Sequence, residues 1–370
     1  MYGSNSSTSD DLFHESMIVL QPATFCNLDC EYCYLDTRDQ KDTMSVEVAE
    51  KVAEYVKSNN QKYDIAFHGG EPLTTGIDKL EALAAIFKTV TLRDKVDLCI
   101  QTNATLINEK WCSLFRKYDF KVGVSLDGPE SMTKRRKYRN GRESFSTILR
   151  GINYLKENDI SFGIIAVVGE ENLGRAEELY FFTREIGAQS LAINVEEIDG
   201  INTSGLCPSE RVKDFWRDLY LAWQKDKEMS VREFDKAFEM LSYVSNAQEE
   251  GLDLNQLRIN ILPSVSAKGD VSLLSPELMN GSLVERHNFV VGNVLEKPLD
   301  QLILIGKNVD YVACFVKGVK RCSEVCDYFS VCRGGYASNK FFENGTTNST
   351  ETNHCRTSTM LLYDALLPLL

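Results

Sequence analysis

The sequence predicts an α/β protein built around six parallel strands, on three observations. Six apolar runs of strand length alternate with stretches whose apolar residues recur at helical spacing. That alternation implies right-handed crossovers with helices covering the outer face of one sheet, as an open sheet or a partial barrel. The segments richest in cysteine, glycine and carboxylate fall directly after the predicted strands, where parallel sheets carry their ligands.

In chain order, residues 1–15 are rich in Ser, Thr, Asn and Asp and read as a mobile lead-in. Met17 to Leu20 is a short apolar run ending near Pro22, which suits a buried parallel strand. A helix then opens with Ser45 as N-cap and places Val46, Ala49, Val52, Ala53 and Val56 on one face. Further strands are expected at Tyr63 to Phe67, Val96 to Thr102, Lys121 to Leu126, Phe162 to Val168 and Leu191 to Val195. Helices are expected between them at Ile77 to Val90, Asn108 to Lys117, Phe145 to Glu157 and Ala176 to Ile186. This unit occupies residues 16–208. Residues 209–256 read as a charged helical bridge with Phe215, Trp216, Leu219 and Trp223 on an apolar face. From 257 to 370, Pro263, Gly269, Pro276, Gly281 and Gly292 punctuate short strands and turns, followed by a small region stapled by metal. The closing LLYDALLPLL is too short to cross a bilayer and reads as a terminal packing helix.

The formal net charge of −13 argues against a nonspecific nucleic-acid binder, which needs clustered positive charge, and suits a mildly basic peptide partner. Eleven cysteines without an apolar N-terminal signal point to a reducing cytoplasm, with no membrane partner. There, closely spaced cysteines bind metal more often than they form disulfides. Cys99 and Cys112 stand apart and read as small buried hydrophobes.

Cys26, Cys30 and Cys33, in CNLDCEYCYL, can hold three irons of a four-iron, four-sulfur cluster and leave the fourth iron open to a chelating ligand. A structural zinc would need a fourth ligand, and the nearest candidate, His14, lies upstream in the polar tail. Gly69, Gly70, Glu71 and Pro72 form a turn after the second strand, where backbone can approach a ligand and a carboxylate can accept from an ammonium. Cys322, Cys326, Cys332 and Cys355 can close a second four-iron cluster or a zinc.

CNLDCEYC followed by HGGEP resembles the radical S-adenosylmethionine (SAM) enzymes, and Tyr32 stands where that family often has an aromatic residue. The resemblance implies a partial parallel (β/α)6 TIM-like barrel. It also implies a [4Fe-4S] cluster on Cys26, Cys30 and Cys33 whose free iron is chelated by S-adenosylmethionine. Gly69, Gly70 and Glu71 would face the cofactor's amino group, Thr102 and Asn103 its ribose, and Ser125 and Asp127 the cofactor and substrate. Arg136, and less closely Arg139, resemble the arginines near its carboxylate, while Thr133 and Lys134 replace a His-Asp pair common in relatives.

The C-terminal segment resembles a SPASM extension, which implies one auxiliary [4Fe-4S] cluster on Cys322, Cys326, Cys332 and Cys355. Cys314 is a lesser candidate ligand, and Ile259 to Asn293 lacks the cysteines of the two-cluster form. INVEEIDG, LLSPELMNGS, FVVGNV and CRGGYASNK resemble the peptide maturases that form three-residue cyclophanes, closest to the group acting on glycine-rich repeat precursors. Such enzymes join an aromatic ring carbon to a β-carbon in a ribosomally made precursor, drawing electrons from a donor such as flavodoxin or ferredoxin. The reaction must shed one electron and one proton. For the proton the candidates are Glu196 and Glu197 at the tip of the sixth strand, with Asp127 behind them, and at most one of the two glutamates is expected to face inward.

Overall fold

A computed structural model describes residues 13–250, 259–279 and 289–370. Most of the expected lead-in lies outside that range. Its last residues are ordered: β1 (Phe13–His14) pairs in parallel with β9 (Ile259–Asn260), and Glu15 accepts a hydrogen bond from the Tyr55 hydroxyl at 2.5 Å.

Six strands form the body of the sheet: β2 (Met17–Leu20), β3 (Tyr63–Phe67), β4 (Val96–Thr102), β5 (Phe120–Ser125), β6 (Phe162–Val168) and β7 (Ser190–Val195). Each pairs in parallel with the next. Since the order never doubles back, every right-handed crossover places its helix on the same side, and the sheet curls as a partial barrel. The helices are α1 (Val46–Ser58), α2 (Ile77–Phe87), α3 (Glu109–Tyr118), α4 (Phe145–Glu157) and α5 (Ala176–Glu185).

Pleating sorts the two faces. Ile65, Leu98, Ile100, Val122, Val124 and Ile164 are buried in the core with Val52, Leu83, Phe115 and Ile152 of the helices. Their neighbours Asp64, Cys99, Gln101, Gly123 and Ser125 are only half-buried, so the inner face is lined by small and polar groups. A side chain at Gly123 would start 2.1 Å from Gln101 Oε1, and its absence leaves room for Gln101 to donate to Ser125 Oγ at 2.8 Å. Cys99 belongs to this face and is no core hydrophobe; beside Asp64, its thiol is pushed up to about 12, chiefly by burial. Cys112 is fully buried.

The expected bridge is two helices, α6 (Glu210–Gln224) and α7 (Arg232–Glu250), separated by β8 (Ser230–Val231), which pairs with β7. After residue 259 the chain extends the same sheet on its other side. β10 (Ser264–Val265) pairs with β2, then β11 (Asp270–Ser272) and β12 (Gly292–Asn293) follow antiparallel. Among the described residues the sheet thus has ten strands, ending at β12 and β8. Gly281 and the end of LLSPELMNGS lie outside the described residues. Beyond β12 the chain is helical, over Leu299–Gly306, Asp310–Val325, Phe329–Cys332, Ala337–Asn344 and Leu361–Leu366. The last helix buries Leu362 and Leu366, and Trp216 of α6 donates to Thr357 O at 2.7 Å. Among the described residues no helix is long and apolar enough to cross a membrane.

Candidate active site

The cysteine loop leaves β2 and is held from two sides. Residues 135–139 run along it: Asp29 N donates to Lys137 O at 2.7 Å, Glu31 N to Arg135 O at 3.1 Å, and Arg139 Nε to Cys26 O at 2.9 Å. On the other side, Asn27 donates to Thr105 Oγ1 at 2.8 Å and receives a bond from Asn103 at 2.9 Å. Arg139 is therefore a brace on the loop backbone.

The glycine turn packs beneath the same loop. Gly70 has φ +61°, and a Cβ there would lie 2.6 to 2.8 Å from the carbonyl oxygens of Ala23, Thr24 and Phe25, so only glycine allows this approach. Glu71 does not present a free carboxylate to an ammonium. Its oxygens accept from Thr102 Oγ1 at 2.7 Å, Asn103 N at 2.7 Å and Leu73 N at 3.0 Å, and burial lifts its pKa to about 7. Thr102 and Asn103 are thereby tied to the turn, and Asn103 also approaches Cys26 Sγ at 3.9 Å.

All eleven cysteines are free. Cys26, Cys30 and Cys33 lie within each other's electrostatic reach, and burial pushes the Cys30 thiol up to about 11. Thiolates so buried need a cationic group between them. Among the described residues no three His, Cys, Asp or Glu side chains converge on a point that would hold one ion. Three thiols on one short loop are a donor set that fits an iron-sulfur core with one iron left open.

Residues 20–183 match the family model described as the radical SAM superfamily. Over 357 residues the chain is 34% identical to an uncharacterized protein of Synechocystis sp., covering 92% of this chain and 88% of that one. The chain belongs to the radical SAM superfamily. It is an S-adenosylmethionine-dependent enzyme, and its family implies a [4Fe-4S] cluster. It is also 26% identical over 340 residues to the cysteine-type anaerobic sulfatase-maturating enzyme of Clostridium perfringens, covering 86% and 88% of the two chains. Among solved structures, native anSMEcpe with bound AdoMet and Cp18Cys peptide shares the fold at a TM-score of 0.76 and 23% identity, over 96% of this chain and 98% of that one. The radical SAM barrel and a C-terminal extension consistent with a SPASM-like domain follow from that likeness.

Within this radical SAM barrel the three expected proton acceptors are already engaged. Asp127, 1% exposed, receives Tyr32 Oη at 2.5 Å, Arg136 Nε and Nη2 at 3.0 Å, and Val167 N at 2.9 Å. It locks the cysteine loop to β6. Arg136, 7% exposed, spends its fork on Asp127 and covers the Tyr32 ring, and among the described residues no carboxylate beyond Asp127 is paired with it. Glu196 is held by both guanidinium nitrogens of Arg135 at 2.6 Å. Glu197 contacts His354 Nδ1 at 2.8 Å and Asn339, and these partners hold its carboxyl below the usual range despite burial. Both glutamates lie just past the end of β7, where strand alternation no longer governs direction.

Two further buried carboxyls, Asp199 and Glu277, are ones the sequence reading passed over. Asp199 is 4% exposed, and among the described residues its Oδ1 has no hydrogen-bond partner. Burial, then the charges of Glu277 and Glu197, raise its pKa well above the carboxylate range. Glu277, which accepts from Ser275 Oγ, is lifted to about 7 by burial and by Glu197. Tyr34, the neighbour of Cys33, feels Glu277, Asp199 and Glu197, and its hydroxyl is 3.2 Å from His68 Nε2. Asp199 and Glu277 both stand in segments that carry the family resemblance. Their 78-residue separation left no local signal that they meet.

The C-terminal cysteines also gather. Cys332 feels Cys355, Cys322 and Cys326, and burial pushes its thiol up to about 11. His354, beside Cys355, connects this region to Glu197 at the barrel mouth.

Proposed function

We propose that this chain is a radical SAM peptide maturase that crosslinks an aromatic ring carbon to the β-carbon of a residue two positions later in a ribosomally made precursor. The observation that carries the reading is the joining of the two cysteine sets at one mouth. Tyr34 next to Cys33 lies within electrostatic reach of Asp199, Glu277 and Glu197, and Glu197 is bonded to His354 next to Cys355. S-adenosylmethionine and the two clusters, when bound, supply hydrogen-atom abstraction and a sink for one electron. Cys26, Cys30 and Cys33 would hold the first cluster, and Cys322, Cys326, Cys332 and Cys355 the auxiliary one. Gly69 and Gly70 would shape the cofactor's approach, Ser125 and Gln101 line the lumen, and Asp199 or Glu277 take the proton that leaves the ring. A flavodoxin or ferredoxin would deliver the reducing electron.

The test is an anaerobic assay of reconstituted full-length chain with a short precursor containing repeated aromatic residues. The expected products are 5'-deoxyadenosine and a peptide lighter by two hydrogens whose fragmentation stops between the joined residues. Turnover that survives Cys26→Ala, Cys30→Ala or Cys33→Ala would overturn the reading. Full-length likeness to a cysteine-type sulfatase-maturating enzyme favours a second reading, oxidation of a Cys or Ser side chain to formylglycine. It begins at the same kind of β-carbon and differs in the fate of that carbon. A product that forms a hydrazone and fragments throughout selects it.

A further inference from the structure

Lys340 lies in CRGGYASNK and is 2% exposed, one of the largest fully buried side chains in the protein. An ammonium taken out of water costs several kcal/mol unless opposite charge meets it. Among the described residues no carboxylate lies within ion-pair distance of Lys340. Its Nζ instead donates to Cys322 Sγ at 3.4 Å and lies 5.5 Å from the centre of the Phe315 ring. Cys322 is in turn one of the three thiols grouped about Cys332. The negative charge that would repay this burial is therefore the charge of that thiolate group with its cluster.

We propose that Lys340 sets the reduction potential of the C-terminal cluster. Four thiolates leave an oxidised [4Fe-4S] core with net negative charge, and one more electron makes it more negative. A buried cation with an N–H directed at one sulfur favours the reduced form, since net charge, hydrogen bonds to sulfur and burial are what set such potentials. Lys340 thus raises the potential and lets the cluster accept the single electron lost by the substrate radical, while the proton goes separately to the acid group at the mouth. Lys340 touches no substrate and acts through Cys322, as a positioning residue. The inference rests on the auxiliary-cluster reading above.

The two are tested in sequence on the full-length chain with Cys26, Cys30 and Cys33 changed to Ala, which leaves only the C-terminal site to load. About four irons per chain supports the cluster reading; zinc alone, or no metal, overturns that reading and the inference with it. On loaded protein, redox titration followed by electron paramagnetic resonance compares Lys340 with Lys340→Arg, Lys340→Gln and Lys340→Met. Arg is expected to stay near the parent potential, Gln to fall below it, and Met to fall furthest. Equal potentials across the series overturn the role of Lys340 while the cluster stands. Should the Met protein fail to hold iron, Gln against Arg decides: Gln lower supports the inference, and equality overturns it.

Discussion

Asp127 and Arg136 are almost wholly out of water, and each satisfies the other. Removing one partner of such a pair leaves a buried charge exposed to an apolar surrounding, which costs about 3–5 kcal/mol. Asp127→Ala is therefore expected to lower the melting temperature sharply in a thermal scan and to free the cysteine loop through Tyr32. Gly70→Ala should act more locally. It places a methyl against three carbonyl oxygens of the cysteine loop, so iron bound at Cys26, Cys30 and Cys33 should fall, while iron at the C-terminal cysteines is retained. At this scale the sequence singles out the cysteines and the glycine turn, because their spacing is local. It gives no sign that Asp127, Glu196 and Glu197 are engaged by other side chains, because a carboxylate's partners depend on which guanidinium or imidazole reaches it. Arg135 and His354 arrive from 61 and 157 residues away from the glutamates they bind.

Among the elements, the central strands and their helices were legible almost to the residue, since each strand has one buried row and each helix one apolar face. β5 begins at Phe120 because Asp119 caps α3 in the left-handed conformation and the strand starts at once. β8 to β12 were not legible individually: two or three residues are too few to display a period. The terminal helix was foreseen as a packing element, and α6 is its partner. Deleting residues 361–370 removes the buried Leu362 and Leu366, each contributing roughly 1.5–3 kcal/mol, and uncovers the α6 face. The truncated protein is expected to melt well below the full chain and to bind a hydrophobic dye.

For the molecule as a whole, the acid group at the mouth is expected to make stability and activity depend on pH in opposite senses. Glu277 holds its proton up to about pH 7 in the folded state, against about 4.5 ordinarily. Between those values the unfolded chain has released a proton the folded chain keeps, so stability falls as pH rises through the window and the full cost remains above pH 7. Glu277→Gln is expected to gain melting temperature over the parent at pH 8 and little at pH 4.5. If Glu277 receives the proton in the reaction, the parent's product yield should rise through pH 7, and the Gln protein should lose that rise. The ends of the sheet have a different consequence. Among the described residues β8 and β12 are two residues each, so the open barrel presents only a short row of unpaired peptide groups on which another chain could build a strand. Edges so short favour gripping a guest peptide by side chains and loops over β-augmentation, and their brevity guards the barrel, although never closed into a ring, against fibrillar growth.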